Sequence, residues 1–158
     1  SSKTPSVLSL TRQNLDPIRK KISNTNKCSL GAYEVLRTNK KIRLTILASG
    51  SEVNLAIETS HKLAKENIYS KVISMPCQDL FDQQSKSYKK KILGETKIKI
   101  SIEAASTDSW KKYIRDDGLT FGIDTFGKSA PYKEIYKYFG LTAAKIANRS
   151  KRMLRIKK

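Results

Sequence analysis

Apolar residues along this chain alternate between two spacings, and each change of spacing marks an element boundary. Leu44-Thr45-Ile46-Leu47-Ala48 is a short run of branched and aliphatic residues stopped by Ser49-Gly50-Ser51, and it predicts a strand because such side chains fit a pleated, half-buried surface. Past that turn Val53, Ala56, Ile57, Leu63 and Ala64 recur at helical intervals, which predicts an amphipathic helix over 51–67 with a serine near its start as cap. The same alternation then repeats. Residues 71–75 read as a strand ended by Pro76, 79–93 as a lysine-rich helix, and 98–102 as a strand whose strict alternation implies one buried face. A short helix around 109–114 leads to a strand over 119–124. Two helices follow, 131–139 with Pro131 near its start and 142–155 after a break at Gly140.

Upstream, 31–36 reads as an edge strand. Ser6-Val7-Leu8-Ser9-Leu10 reads as a short β-like segment, closed by a turn over 11–17 that carries Asn14, Asp16 and Pro17. Strands separated by helices of this length form βαβ units, so the expected fold class is α/β: a three-layer αβα arrangement around a mostly parallel sheet of about five strands, with room for one antiparallel strand. Residues 1–27 are polar and basic, and read as the tail of a preceding domain plus a linker. The α/β domain proper then covers 28–158.

At 158 residues the chain is long enough to bury a substantial core, and its apolar residues fall in compact runs, which argues against disorder. Its charge is less ordinary: 32 Lys plus Arg against 14 Asp plus Glu give a formal net charge of +18. Such a surplus raises nucleic acid as a partner. Lysines supply 24 of the 32 cations, however, and they are spread in pairs and triples from Lys20-Lys21 to Lys157-Lys158, whereas groove readers rely on the arginine fork. A solvated lysine-rich surface is the better reading, and a free-standing basic module for RNA or DNA is kept as the alternative. Two cysteines, Cys28 and Cys77, show no metal or redox spacing, and no stretch approaches 18 apolar residues. Ser1 to Arg12 lacks the apolar core of a signal peptide, so the expected location is cytoplasmic. The first residue is not Met, which points to a segment of a longer protein.

No complete set of catalytic groups assembles from this sequence. The Ser49-Gly50-Ser51 turn precedes a helix N-terminus and offers N–H groups to an anion, but it has one glycine where a dinucleotide fingerprint has three, and no lysine of a P-loop follows. A partner-docking or regulatory role stays open for it. His61 is the only histidine and has no second ligand nearby, so it reads as a solvated helix residue. Asp116-Asp117 precede Gly118 and read as turn chemistry. Tyr132, Tyr136 and Phe139 fall at helical spacing with Ile135 and read as core rather than as a stacking platform. Arg12, between Thr11 and Gln13 in the turn after the first β-like segment, is placed to present its fork to a phosphate or a carboxylate.

Taken in order, these landmarks resemble the C-terminal part of transketolase. Leu8-Ser9-Leu10-Thr11-Arg12-Gln13-Asn14-Leu15 looks like the end of that family's pyrimidine-binding domain. Gly31-Ala32-Tyr33, Ala48-Ser49-Gly50-Ser51-Glu52-Val53, Ser74-Met75-Pro76 with Phe81-Asp82, Ile102-Glu103-Ala104, Trp110-Lys111-Lys112-Tyr113 and Phe126-Gly127-Lys128-Ser129-Ala130-Pro131 with Phe139-Gly140-Leu141-Thr142 look like successive landmarks of its C-terminal domain. The resemblance implies a part of an enzyme of the pentose phosphate pathway that moves a two-carbon ketol unit between sugar phosphates with thiamine diphosphate and Mg2+ (or Ca2+). It implies a homodimer, and places the catalytic, cofactor and metal-binding groups in upstream domains of the same polypeptide. The 158 residues would then support the fold and the dimer, bind no cofactor, and be inactive alone. One family role falls on a residue present here, since the arginine of the Thr-Arg-Gln turn, which binds the sugar phosphate, matches Arg12. Asp16 stands where many relatives carry Pro, and Lys20 to Lys27 is more basic than the family. Other thiamine enzymes, such as deoxyxylulose-phosphate synthase and the β subunits of pyruvate and branched-chain dehydrogenases, share the C-terminal fold. The Thr-Arg-Gln turn and the Phe-Gly-Lys-Ser-Ala-Pro run favour transketolase over them.

Overall fold

Three of the apolar runs lie side by side in the middle of one sheet. The computed structural model describes Pro5 and residues 7–19, 24–94, 96, 98–115 and 117–156. Its strands are β1 (Tyr33–Leu36), β2 (Leu44–Ala48), β3 (Ser70–Ser74), β4 (Ile98–Ile102) and β5 (Leu119–Phe121). They are ordered β1-β3-β2-β4-β5, with β1 antiparallel to β3 and every other pair parallel. The α/β class, the strand count and the single antiparallel edge are as expected.

Helices cover both faces, because successive side chains on each strand point opposite ways. Leu44, Ile46 and Ala48 of β2, Val72 of β3 and the isoleucines 98, 100 and 102 of β4 face one way, against α1 (Glu52–Ala64) and α6 (Ala143–Ile156). Leu47 and Ile73 face the other way, into a smaller core closed by α2 (Gln78–Asp82), α3 (Lys86–Leu93) and α4 (Lys111–Ile114), which supply Phe81, Ile92, Tyr113 and Ile114. The expectation of one buried face for 98–102 is corrected here. This strand is central, so Ser101 on its second face is as buried as its isoleucines, and its hydroxyl finds no hydrogen-bond partner among the described residues.

Several element boundaries also differ from expectation. The helix expected over 51–67 ends at Ala64, where Asn67 takes a positive φ of 58° and the N–H groups of Ile68 and Asn67 close onto Leu63 and Ala64 at 3.1 and 3.0 Å. This is the reverse turn by which helices satisfy their last carbonyls. Ser51 does not act as a side-chain cap. It is itself in helical conformation, and its hydroxyl donates to the Glu52 carboxylate instead. The single helix expected over 79–93 is two, because the Ser85 hydroxyl accepts from the Tyr88 N–H at 3.2 Å and starts α3 afresh. The segment at 109–114 opens as a 3₁₀ turn, Asp108–Trp110, before α4. Strand β5 stops at Phe121 rather than near 124, since the chain then bends so that Ile123 N–H bonds Ala105 O at 2.9 Å. Residues 7–10 are not a strand: no neighbour hydrogen-bonds them, and Val7, Leu8 and Leu10 stand exposed. Ser6, Asp116, residues 20–23 of the basic lead-in and the terminal Lys157-Lys158 pair lie outside the described residues.

The last helices are α5 (Tyr132–Phe139) and α6, separated by Gly140 at a φ of 78°. Pro131 sits at the cap of α5, as its fixed φ favours. Tyr136 and Phe139 pack against the larger core, but Tyr132 is 44% exposed and does not join it.

Candidate functional site

Strand order places a crevice before any side chain is considered. The chain leaves β2 toward β3 on one side and leaves β4 toward β5 on the other, so its connections diverge at the paired ends Ala48 and Ile102. In open α/β sheets this divergence point is where ligands bind. The two segments that leave it here are Ser49-Gly50-Ser51 into α1 and Glu103-Ala104 toward the 3₁₀ turn.

Each segment brings a carboxylate into the crevice. Glu52 opens α1 and is only 5% exposed. It accepts from Ser51 Oγ at 2.8 Å and from the Tyr136 hydroxyl, which reaches it across 84 residues of sequence. The half-buried Glu103 accepts from the Trp110 indole N–H. Burial pushes the Glu103 carboxyl above its ordinary range and the nearby Glu52 charge adds to this, against the opposing pull of the indole bond. The Tyr136 phenol is raised too, first by burial and then by donating to Glu52.

On the outer side of Tyr136 lies the turn that carries Arg12. Gln13, next in the chain, places its side chain at the Tyr136 hydroxyl, and its backbone N–H donates to Thr11 Oγ1 at 3.3 Å. Farther along, Asn54 Nδ2 donates to Asp16 O at 3.3 Å. Residues 13–16, the first turns of α1 and the start of α5 together wall a cleft of ≈ 730 Å³. The exposed His61 stands at its rim, without a partner that would make it a metal or proton-transfer group. Arg12 lies just outside the cleft, exposed. The lead-in also touches the domain beyond this turn: Ile18 packs on the larger core and the Arg19 guanidinium lies 5.9 Å from the Tyr33 ring centre.

Other sequence candidates fall elsewhere. Cys28 and Cys77 are free and half-buried, and Asp117 sits in the turn before β5. Among the described residues no three His, Cys, Asp or Glu side chains converge as a metal would need. The landmarks at 81–82 and 110–113 meet behind the sheet: the Tyr113 hydroxyl donates to Asp82 at 2.7 Å and Lys112 pairs with the same carboxylate at 2.6 Å. Burial and the Asp82 bond push the Tyr113 phenol up to about 12. That cluster ties α2 to α4 and leaves no space for a ligand. A second cleft of ≈ 480 Å³ beside β5 is lined by Lys145, Arg149 and Arg152 of α6, with Arg149 stacked 5.1 Å from the Phe121 ring centre.

Sequence reasoning picked out Arg12 and the Ser49-Gly50-Ser51 turn but missed Glu52, Glu103 and the polar use of Tyr136. Glu52 lay inside a run already noted, and an acid in a helix's first turn is ordinary. Only the fold shows that it is buried and bonded by a tyrosine from another helix.

Comparison with known proteins supplies the context for this geometry. Residues 31–142 match the family described as the transketolase-like TK C-terminal domain. The chain is 40% identical over 153 residues to the transketolase of Sinorhizobium medicae, covering 96% of this chain and 22% of that protein. A solved structure of a transketolase variant from Pichia stipitis superimposes with a TM-score of 0.81 at 34% identity, covering 92% of this chain and 21% of the other. A transketolase variant from the same organism in complex with fructose 6-phosphate gives a TM-score of 0.75 at 34% identity, over 82% of this chain and 19% of its own. This chain thus spans about a fifth of the length of the curated relatives it matches.

Proposed function

Because this chain belongs to the transketolase family, whose C-terminal domain it matches over residues 31–142, we propose that it serves as that domain within a longer enzyme that transfers a two-carbon ketol unit between sugar phosphates in the pentose phosphate pathway. The observation that carries this reading is the combination of near-complete coverage of this chain with only 22% coverage of the relative. Residues 28–158 are then the domain proper, and 1–27 the tail of the preceding one with its linker. The rest of the polypeptide holds the catalytic groups.

The family implies thiamine diphosphate and a divalent cation, and the cofactor supplies the carbon centre on which ketol transfer depends. The residues described here do not fit the metal, since no donor set converges among them. We place both groups in the upstream domains and route no step through them on this chain. Homodimerisation, inactivity of the 158 residues alone and a cytoplasmic location belong to the same reading. Among the described residues no helix is long and apolar enough to cross a membrane.

Arg12 is the residue of this chain that we assign to substrate. It is exposed and lies in a turn whose neighbours are held by α1 and α5, so its fork is open to the phosphate of a bound sugar. In the complete transketolase, Arg12→Ala is expected to raise the KM for fructose 6-phosphate by about 10- to 100-fold, the size of a lost charge-assisted hydrogen bond. It should leave the constants for unphosphorylated fructose nearly unchanged. Steady-state kinetics on both sugars decide the matter, and an equal effect on the two removes Arg12 from the phosphate site.

A further inference from the structure

Arg12 has no contact that would fix its own orientation, yet the turn beneath it is held at two points from outside. Near its start, the Gln13 side chain meets the Tyr136 hydroxyl, which donates to the buried Glu52; Ser51 Oγ donates to the same carboxylate at 2.8 Å. At its far end, Asn54 Nδ2 holds Asp16 O at 3.3 Å. Ser51, Glu52 and Asn54 all belong to the start of one helix, and that helix packs on the central strands. Tyr136 comes from a different helix and is half-buried against the same core. A guanidinium captures phosphate efficiently only if its backbone is already in place, because the cost of ordering the turn would otherwise be charged to binding.

We propose that Tyr136, anchored on Glu52, is a positioning residue that holds the Gln13 side of the Arg12 turn in the conformation that captures the substrate phosphate. The inference rests on the assignment of Arg12 made above. Tyr136 touches no substrate in this arrangement; it acts through Gln13, one peptide away from Arg12. Removing its hydroxyl therefore loosens the turn without removing the cation.

The test has two parts. In this chain, Tyr136→Phe keeps the ring that packs on the core and deletes only the hydroxyl, and backbone ¹⁵N relaxation reads the turn directly. Residues 11–16 should gain fast-timescale mobility while β2 and β4 stay unchanged; unaltered relaxation at 11–16 overturns the proposal. Glu52→Gln keeps an oxygen to accept from the phenol and should preserve the turn, whereas Gln13→Ala should loosen it and serves as a second route if Tyr136→Phe perturbs the fold.

In the complete transketolase, Tyr136→Phe should raise the KM for fructose 6-phosphate about three- to tenfold with kcat at saturation held within about twofold, since only binding of the phosphate is weakened. The constants for fructose should not move, which a general loss of packing could not produce. Arg12→Ala measured alongside separates the two ideas. If Arg12→Ala discriminates between the sugars and Tyr136→Phe does not, the positioning role is wrong and the Arg12 assignment stands. If Arg12→Ala fails to discriminate, the assignment itself is wrong and the inference falls with it.

Discussion

Glu103 sits where the sheet's connections diverge, half-buried, bonded by the Trp110 indole and facing the charge of Glu52. Burial, and then that charge, raise its folded pKa above the ordinary value of 4.5. Between the two values the folded state binds the proton more tightly than the unfolded chain, so stability falls as pH rises from about 4.5 through the folded pKa. Glu103→Gln keeps an oxygen for the indole and abolishes the titration. Its advantage over the unmodified chain, read from urea midpoints, is therefore expected to grow between pH 4.5 and 7.5. Parallel curves for the two proteins would show that the Glu103 environment is not unfavourable to its charge. Lys71 in β3 is a contrasting case. Burial lowers its pKa, but its ammonium donates to the carbonyls of Ile92 and Lys91 at 2.6 and 3.4 Å, so a buried cation closes the end of α3. Neither residue could have been singled out from the sequence, since both depend on partners that the fold brings from 7 to 21 positions away.

At the scale of elements, the packing of β1 depends on one glycine. Gly31 closes the 3₁₀ turn Lys27–Leu30 with a φ of 77°, and a Cβ there would lie 2.5 Å from Cys77 O and in collision with the Phe81 N–H. Backbone from the start of α2 thus passes directly over this position. Gly31→Ala combines an unfavourable dihedral with overpacking against rigid backbone, and is expected to destabilise the chain by about 3 kcal/mol. A urea midpoint close to that of the unmodified protein would show that the turn can swing away from α2. The Gly-Ala-Tyr landmark was readable in the sequence, but its cause was not, because the colliding atoms come from residues 77–81. The same division holds across the fold. Strands β2, β3 and β4 were legible because buried parallel strands write themselves as continuous aliphatic runs. The split between α2 and α3 was not, because a lone serine cap inside a lysine-rich stretch leaves no break in helical periodicity. Arg12 was legible as a turn arginine, whereas the Tyr136 and Glu52 contact beneath it was hidden by Tyr136 sharing the spacing of its apolar neighbours.

For the whole molecule, two surface properties of this chain bear on its role. Val7, Leu8, Leu10 and Phe126 are exposed, with Phe126 at 97%, a surface better suited to burial against further domains than to solvent. The charge surplus of +18 is carried mostly by lysines, of which only Lys71 is buried among those described. If this surplus served nucleic-acid recognition, cations should line a continuous groove and aromatic rings should lie open for stacking. Instead they spread over every helix, and the one cleft that gathers three of them uses its arginine fork to cover Phe121. Three phosphate contacts give a salt exponent near −2.7, so affinity for a random duplex should fall about 40-fold between 50 and 200 mM salt. Fluorescence anisotropy at the two salt concentrations, with duplexes of differing sequence, measures both the exponent and any base preference. Weak binding that fades in this way and ignores sequence is what a solvated lysine surface produces. Tight binding that persists above physiological salt and distinguishes sequences would instead make this chain a nucleic-acid module, and the cleft at Lys145, Arg149 and Arg152 would be the first place to mutate.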